Sequence, residues 1–376
     1  MRKLTTVAFC RAFDNGADWW RTIEPFCLAR ANGHDCYASI RGHDLVHRPD
    51  VLVFRGEFFE PDGAHSWQAF LRQCERDRVL VVLDYDDAYH AYPGYATSAR
   101  KVEACRVAAR YAHAVTTTTE RLAEEIARFS GRHDVYVVPN AINLATWQSL
   151  SPPDPEHPVI LVAGGDSHTG DWRDVPYVFS AIGRQHPTVR FRVAGHDTPE
   201  IIALRDTLGD RLDLQPFVRF EAYPRSFEGT SIVWAPLEET IFNRGRSPIR
   251  HWEATAAGAA FVGSPLVYDQ SVTDSEDGYL TDDPEYVIEL CLRLLADEHE
   301  RSRTVSLARQ TVQERMLTGE CVDARFEIYY EEWKERYGTR AVQSLRTSEK
   351  SGLAIADPSG SGHRALRDSR GASRLR

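Results

Sequence analysis

The chain has 376 residues, 42% of them hydrophobic and 27% charged, with a formal net charge of -10. At about 100–200 residues per domain this length predicts two domains, and an aromatic share of 10% with 8 Trp excludes a mainly disordered chain. No apolar run approaches the ~18 residues of a membrane-spanning helix. Met1 leads straight into a strand-like run without a secretory leader pattern, so a soluble, cytoplasmic protein is expected.

The charge is unevenly spread. The segment Arg340–Arg376 carries eight Lys/Arg against three Asp/Glu, which leaves the preceding body near -15. An acidic body excludes a broad nucleic-acid surface, which needs clustered cations to displace counterions. It still allows one small basic pocket for a phosphorylated ligand. The seven cysteines (Cys10, Cys27, Cys36, Cys74, Cys105, Cys291 and Cys321) are odd in number and include no C-x-x-C pair. Reduced thiols are therefore expected, with neither a disulfide framework nor a zinc site.

In chain order, Thr5–Cys10 reads as a strand and Trp20–Ala31 as a helix stopped by Asn32-Gly33. Strands at Cys36–Ile40 and Val51–Phe54 precede a helix at Ser66–Arg76. Val79–Leu83 is the continuous apolar run that a fully covered parallel strand requires. A helix over Ser98–Ala112, a strand Ala114–Thr118, a helix Arg121–Phe129 with Thr119 as its cap, and a strand Val135–Val138 complete this half. Four prolines within Ser151–Pro158 predict an interdomain linker.

The alternation then restarts. Strands are predicted at Val159–Ala163, Val189–Ala194, Val218–Glu221, Ile232–Pro236 and Ala260–Gly263. Helices are predicted at Val175–Gln185, Pro199–Leu208, Pro248–Ala257, Glu285–Ala296, Arg301–Met316 and Asp323–Tyr337. Alternating strands and helices imply parallel sheets covered on both faces. The expected fold is thus α/β, with two Rossmann-like parallel-sheet domains at 1–150 and 151–322, a docking helix at 323–338 and a disordered tail at 339–376. The aromatic stripe Phe326, Tyr329, Tyr330, Trp333 and Tyr337 has the helical spacing that would dock the last helix. The tail is rich in Ser, Gly and Arg and offers little apolar surface to offset ordering.

In open parallel sheets ligands bind beyond the carboxyl ends of the strands, so those loops hold the candidate residues. Gly164-Gly165, directly after a strand and followed by His168, would let a backbone approach a phosphate closely. The spacing there is neither G-x-G-x-x-G nor a P-loop. A stronger signal is Phe242-Asn243-Arg244-Gly245-Arg246-Ser247-Pro248-Ile249-Arg250-His251-Trp252-Glu253. Ser247 as N-cap and Pro248 at the first helical position make a helix start, and Gly258 makes its stop. Arg246 and Arg250 would then sit at the positive end of a helix dipole, which is unfavourable by ~0.3–1 kcal/mol each unless an anion is bound. The planar fork of Arg suits phosphate oxygens. Glu253, three residues after Arg250, lies on the same helix face and can hold sugar hydroxyls. The third cluster, Asp84-Tyr85-Asp86-Asp87-Ala88-Tyr89-His90, ends an apolar strand of the first half. Its carboxylates and His suit acceptor hydroxyls, an ion or proton transfer.

Taken together, these segments resemble a retaining GT-B glycosyltransferase of the family 4-like group (glycosyl transferases group 1), in a divergent branch. Val135-Tyr-Val-Val-Pro-Asn-Ala-Ile-Asn143 is similar to that group's junction between domains, and Gly164-Gly165 to its first donor-side loop. Glu253-Ala-Thr-Ala-Ala-Gly-Ala-Ala-Phe-Val-Gly263 and Asp274-Ser-Glu-Asp-Gly-Tyr-Leu280 are similar to its two later motifs. The group's first glutamate, eight positions before Glu253, is replaced by Gly245. The resemblance implies transfer of a sugar, hexosyltransferase fashion, from a nucleotide-diphosphate sugar to a glycan or small-molecule acceptor hydroxyl. The anomeric configuration would be retained, with no further cofactor and no metal. Gly164, Gly165, His168, Arg246, Ser247, Arg250 and Glu253 would bind the donor. Asp86, Asp87 and His90 would line the acceptor side, and Arg246 would stabilise the departing diphosphate. Peripheral association with a membrane is compatible with such an enzyme. Three alternatives stay open: a metal-dependent GT-A-type transferase using Asp84 and Asp86, a nucleotide-sugar-binding protein without turnover, and a GT-B-type epimerase.

Overall fold

A computed structural model of the chain describes residues 3–10, 16–40, 48–56, 64–92, 98–338 and 373–375. The chain divides into two compact units, one of residues 1–13, 21–139 and 318–376, the other of residues 14–20 and 140–317.

In the first unit, β1 (Thr5–Cys10), α1 (Glu24–Ala31), β2 (Asp35–Ile40), β3 (Val51–Arg55), α2 (Ala64–Arg76) and β4 (Leu80–Tyr85) follow one another. They lead to α3 (Ala99–Tyr111), β5 (Ala114–Thr117), α4 (Glu120–Ser130) and β6 (Val135–Val137). The strands pair in parallel in the order β6-β5-β4-β3-β1-β2. Every residue of β4 is buried, as its unbroken apolar run requires of a central strand covered on both faces. Successive side chains of a strand point to opposite faces. Val81, Leu83 and Tyr85 accordingly join Trp67, Leu71, Cys105, Ala108, Leu122 and Ile126 of α2, α3 and α4 in one core. The opposite face, with Asp84, meets the chain's last long helix, described below. Ser98 and Thr119 cap α3 and α4 through their hydroxyls, the latter as the sequence predicts.

The second unit carries β7 (Val159–Gly164), α5 (Val175–Gln185), β8 (Arg190–Gly195), β9 (Leu212–Pro216) and β10 (Thr230–Ala235). After these come α6 (Ile249–Ala257), β11 (Ala260–Gly263), β12 (Tyr279–Leu280), α7 (Pro284–Ala296) and α8 (Glu298–Gln313). The sheet order is β12-β11-β10-β7-β8-β9, all parallel, so the winding reverses between β7 and β10. Ile160 and Val162 of β7 face α5 and α7 in one core, whereas Leu161 and Ala163 face Trp252 and Ala254 of α6 and Val312 of α8 in another. Both units are therefore doubly wound, and the fold is the two-domain α/β class of GT-B type.

Four sequence expectations change. The predicted strand Val218–Glu221 is irregular, and the strand of that region is β9. Alternating Leu212 and Leu214 pair with β8, while Phe220 turns into an aromatic cluster with Trp19, Trp20 and Tyr223. The break between units falls after Pro139 rather than in the proline-rich stretch. Ile142 and Trp147 are buried in the core of the second unit, so the chain has joined that unit before residue 151. At the other end, α9 (Gly319–Tyr337) starts before residue 323, capped by Thr318, and belongs to the first unit. It docks by its aromatic stripe: Phe326, Tyr329 and Tyr337 are buried, the Trp333 indole donates to the Arg78 carbonyl (2.9 Å) and the Tyr337 hydroxyl to that of Val79 (3.0 Å). Of the tail expected to lack order, 339–372 and residue 376 lie outside the described residues. Ser373–Leu375 forms β13, antiparallel to β6, so the otherwise open edge of the first sheet is paired.

None of the seven cysteines, all of them among the described residues, is in a disulfide. Among the described residues no helix is long and apolar enough to cross a membrane.

Candidate functional site

Ligands of doubly wound sheets bind beyond the carboxyl ends of the strands where the winding reverses. In the second unit that place lies beyond β7 and β10. β7 ends in Gly164, and the turn Asp166–His168 follows Gly165 directly. A Cβ on Gly164 would lie 2.3 Å from the His168 ring, so the imidazole lies flat against the strand end only because residue 164 has no side chain. Around Gly165 the corresponding space is open, which leaves its backbone approachable.

His168, Asp171, Asn243 and Arg246 form one network. The Arg246 guanidinium places Nη1 2.7 Å from His168 Nε2 and 3.1 Å from its Nδ1, donates from Nη2 to Ser167 Oγ (2.7 Å), and lies 4.7 Å over the Phe242 ring. His168 Nδ1 is 2.8 Å from Asp171 Oδ2. The other Asp171 oxygen accepts from Asn243 Nδ2 (2.7 Å) and from the Glu238 backbone N–H (2.8 Å). Burial, and then the Arg246 charge, push the His168 imidazole down to about 4 against the pull of Asp171, so it is neutral near pH 7.

One helical turn on, Arg250 binds both Glu253 and the Tyr223 hydroxyl, which itself donates to Glu253 Oε2 (3.1 Å). Its guanidinium lies 5.8 Å and 5.7 Å from the Tyr223 and Phe227 ring centroids. Burial raises the Glu253 carboxyl to about 7, opposed by Arg250. Burial likewise raises Tyr268 to about 12, opposed by the charges of Arg250 and Arg246. The predicted N-cap is corrected: Pro248 occupies that position without a side-chain bond, while Ser247 Oγ accepts from Asn140 Nδ2 (2.8 Å). Ser247 thus ties the helix start to the segment that opens the second unit. Gly258 does end the helix, in the left-handed region at φ 81°.

The sequence-predicted donor residues Gly164, His168 and Arg246 thus meet directly, and Arg250 acts electrostatically on His168 from α6. Sequence reasoning missed Asp171, Asn243, Tyr223 and Tyr268. Asp171 and Asn243 stand within the Gly164–Trp172 and Phe242–Glu253 runs without a role assigned to them; Tyr223 and Tyr268 carried no signal.

In the first unit Asp84 is enclosed. Arg21 pairs with it through Nε (2.9 Å) and Nη2 (2.5 Å), Arg325 of α9 through Nη2 (3.0 Å), and Thr116 Oγ1 donates to it (2.5 Å). Burial alone would raise this carboxyl, but Arg21 and Arg325 outweigh it and hold it well below the usual range. Asp86 pairs with Arg55 (3.0 Å) and accepts from the Tyr89 hydroxyl. His90 Nε2 is 3.0 Å from Glu125, its ring stacks on Phe129 at 3.8 Å, and burial lowers its pKa against Glu125. Asp87, partly buried, lies between them in the same loop. With both acids of the Asp84-x-Asp86 pattern engaged by arginines, that pattern makes a poor donor set for a divalent cation, which needs carboxylate oxygens free to converge. Among the described residues no cluster of His, Cys, Asp or Glu has metal-binding geometry.

Residues 176–327 match the model of a family described as glycosyl transferase-like. Among curated proteins none matches the chain as a sequence relative. Solved structures share the fold at low identity. Sucrose-phosphate synthase from Thermosynechococcus elongatus is 13% identical over 88% of this chain and 99% of its own, with a TM-score of 0.64. Anabaena HepE, solved with UDP and glucose, is 11% identical over 87% of this chain and 99% of its own, with a TM-score of 0.61. A variant of S. aureus TarM, solved with fondaparinux, alpha-GlcNAc-glycerol and UDP, is 14% identical over 75% of this chain and 55% of its own, with a TM-score of 0.56. The chain thus spans just over half the length of TarM.

Proposed function

We propose that this chain is a glycosyltransferase that moves a sugar from a nucleoside-diphosphate sugar to an acceptor hydroxyl, with retention at the anomeric carbon. The observation that carries the reading is the pair Arg246 and Arg250 at the start of α6, Arg246 reaching Ser167 and His168 of the loop after β7 and Arg250 reaching Glu253. Preorganised guanidinium donors stabilise the charge that develops on a departing diphosphate without reorganising at the moment of reaction. Glu253, held by Arg250 and Tyr223, accepts from hydroxyls of the ribose or the sugar. The glycosyl transferase-like match covers α6 and both arginines, and the UDP found with HepE and TarM supports a nucleotide of that kind as donor.

In this reading the loop after β4 serves the acceptor through Asp87 and His90, and Asp86 orders it through Arg55. The acceptor is a glycan or a small hydroxylated molecule, and no cofactor beyond the donor is required. Retention follows the resemblance of the Glu253–Gly263 segment to retaining enzymes. Calorimetry with UDP-glucose and GDP-mannose tests the donor site. Arg246→Ala and Arg250→Ala are each expected to weaken donor binding by about 10–100-fold, since a charge-assisted hydrogen bond contributes ~1.5–3 kcal/mol. Unchanged affinity in both variants overturns the site. NMR of the first-formed product reads the anomeric configuration, and an inverted product overturns retention.

A further inference from the structure

We propose that His168 and Arg246 form a proton-coupled diphosphate clamp: a bound diphosphate draws Arg246 off the imidazole, and His168 takes up one proton to become a second cation facing the phosphates. The inference rests on the donor-site reading above and goes beyond it, because a fixed pair of arginines binds anions without any proton.

The tautomer follows from the partners. A carboxylate has only acceptors, so Asp171 orients the ring through Nδ1; Arg246 Nη1 lies close to both ring nitrogens, 2.7 Å from Nε2 and 3.1 Å from Nδ1, and leaves that choice to Asp171. The ring proton is then on Nδ1, where it is donated to Asp171 Oδ2 at 2.8 Å. Asp171 is held in turn by Asn243 and the Glu238 backbone, so the orientation of the imidazole is fixed through a chain of hydrogen bonds. Asp171 is a positioning residue in this scheme and touches no ligand. Gly164 leaves room for the ring, since a Cβ there would lie 2.3 Å from it.

An incoming diphosphate competes for the same Arg246 N–H groups. Once they turn to phosphate oxygens, Nε2 is left with a bare lone pair between the diphosphate and the Asp171 carboxylate. Two neighbouring anions favour the charged imidazolium, and the proton lets Nε2 donate to a phosphate oxygen. The charged groups facing His168 are Asp171 from its own loop, Arg246 from the segment before α6 and Arg250 from α6 itself. Arg173 and Glu238 pair with each other further out. In the unliganded pocket, burial and Arg246 keep the imidazole near 4, so the uptake is confined to the bound state.

Calorimetric titration of the full chain with UDP-glucose and GDP-mannose, at pH 6 in buffers of different ionisation enthalpy, counts the protons. These donors carry no phosphate monoester, whose second pKa near 6 would titrate in its own right. Binding is expected to take up as much as about one proton, falling toward zero by pH 8. Affinity is expected to rise by at most about tenfold per pH unit on acidification through that interval. His168→Gln should still bind but lose the uptake, and Asp171→Asn, which disfavours the Nδ1–H tautomer, should reduce it. Binding without buffer dependence in the wild type, or unchanged uptake in His168→Gln, overturns the clamp alone. Absence of binding by every nucleotide sugar overturns the donor-site reading, and the clamp with it.

Discussion

Replacing Asp84 by Asn separates two uses of the Asp84-x-Asp86 pattern, a structural ion pair and a metal site. In the folded chain Asp84 faces Arg21 and Arg325, and all three side chains are at most 4% exposed. Asn keeps the shape and removes the charge, so both guanidiniums lose the Asp84 carboxylate in the interior of the first unit. Breaking a buried pair from one side costs about 3–5 kcal/mol. For a domain of roughly 150–250 residues each kcal/mol lowers the melting midpoint by about 2–4 °C, so a drop of about 6–20 °C is expected. The loss should also loosen α9, because Arg325 is its buried anchor to β4, and protease should then cut the C-terminal helix sooner. Differential scanning calorimetry reads the midpoint, and the same scan with Mn²⁺ or a chelator reads any metal. The carboxyl's folded pKa is depressed by its arginines. Its contribution is therefore complete above the unfolded value near 4 and is lost only as pH falls toward the folded one. A variant that melts with the wild type, together with a wild type stabilised by Mn²⁺, would refute the ion-pair account.

Three further outcomes are expected. Gly164→Ala places a methyl 2.3 Å from the His168 ring, which Asp171 and Arg246 pin, so donor affinity should fall; overpacking of this kind also costs about 1–3 kcal/mol in a melt, and an unchanged Kd counts against the pocket geometry. His113 and His251 are both driven down to about 4, chiefly by burial. Unfolded imidazoles charge near 6.5 and these do not, so stability should drop as pH falls from 6.5 toward 4, by roughly 1–2 kcal/mol per histidine at pH 5. Urea titrations at pH 7 and pH 5 check this, and equal midpoints contradict it. Gly258→Ala forces a Cβ into the left-handed region at φ 81° at the end of α6 and should cost about 1 kcal/mol in a urea titration, with donor binding kept.

Much of the fold was legible because its signals are local. Val79–Leu83 and Val159–Ala163 are apolar without interruption, and only a strand covered on both faces makes use of that. Thr119 and Gly258 punctuate helices by backbone chemistry that needs no distant partner. The misplaced strand at Val218–Glu221 shows the limit: apolar residues there serve an aromatic cluster with Trp19 and Trp20, about two hundred positions away in sequence, rather than a sheet. The linker was misjudged for a like reason, since proline content marks stiffness but not which core Ile142 and Trp147 join.

By itself the sequence determined that two wound sheets form, that Gly164-Gly165 follows a strand directly, and that Arg250 and Glu253 share a helix just after Arg246. Periodicity, caps and composition are properties of neighbouring residues and survive being read in one dimension. Tertiary structure alone decided which charges are already spent. Asp84 and Asp86 are neutralised by Arg21, Arg325 and Arg55 from distant segments. The imidazole of His168 is aimed by Asp171 and Asn243 and closed by Arg246. Whether a carboxylate or an imidazole is available to a ligand depends on the partners that folding brings within ~3–4 Å, where Coulomb and hydrogen-bond energies become large, and no local pattern encodes that distance.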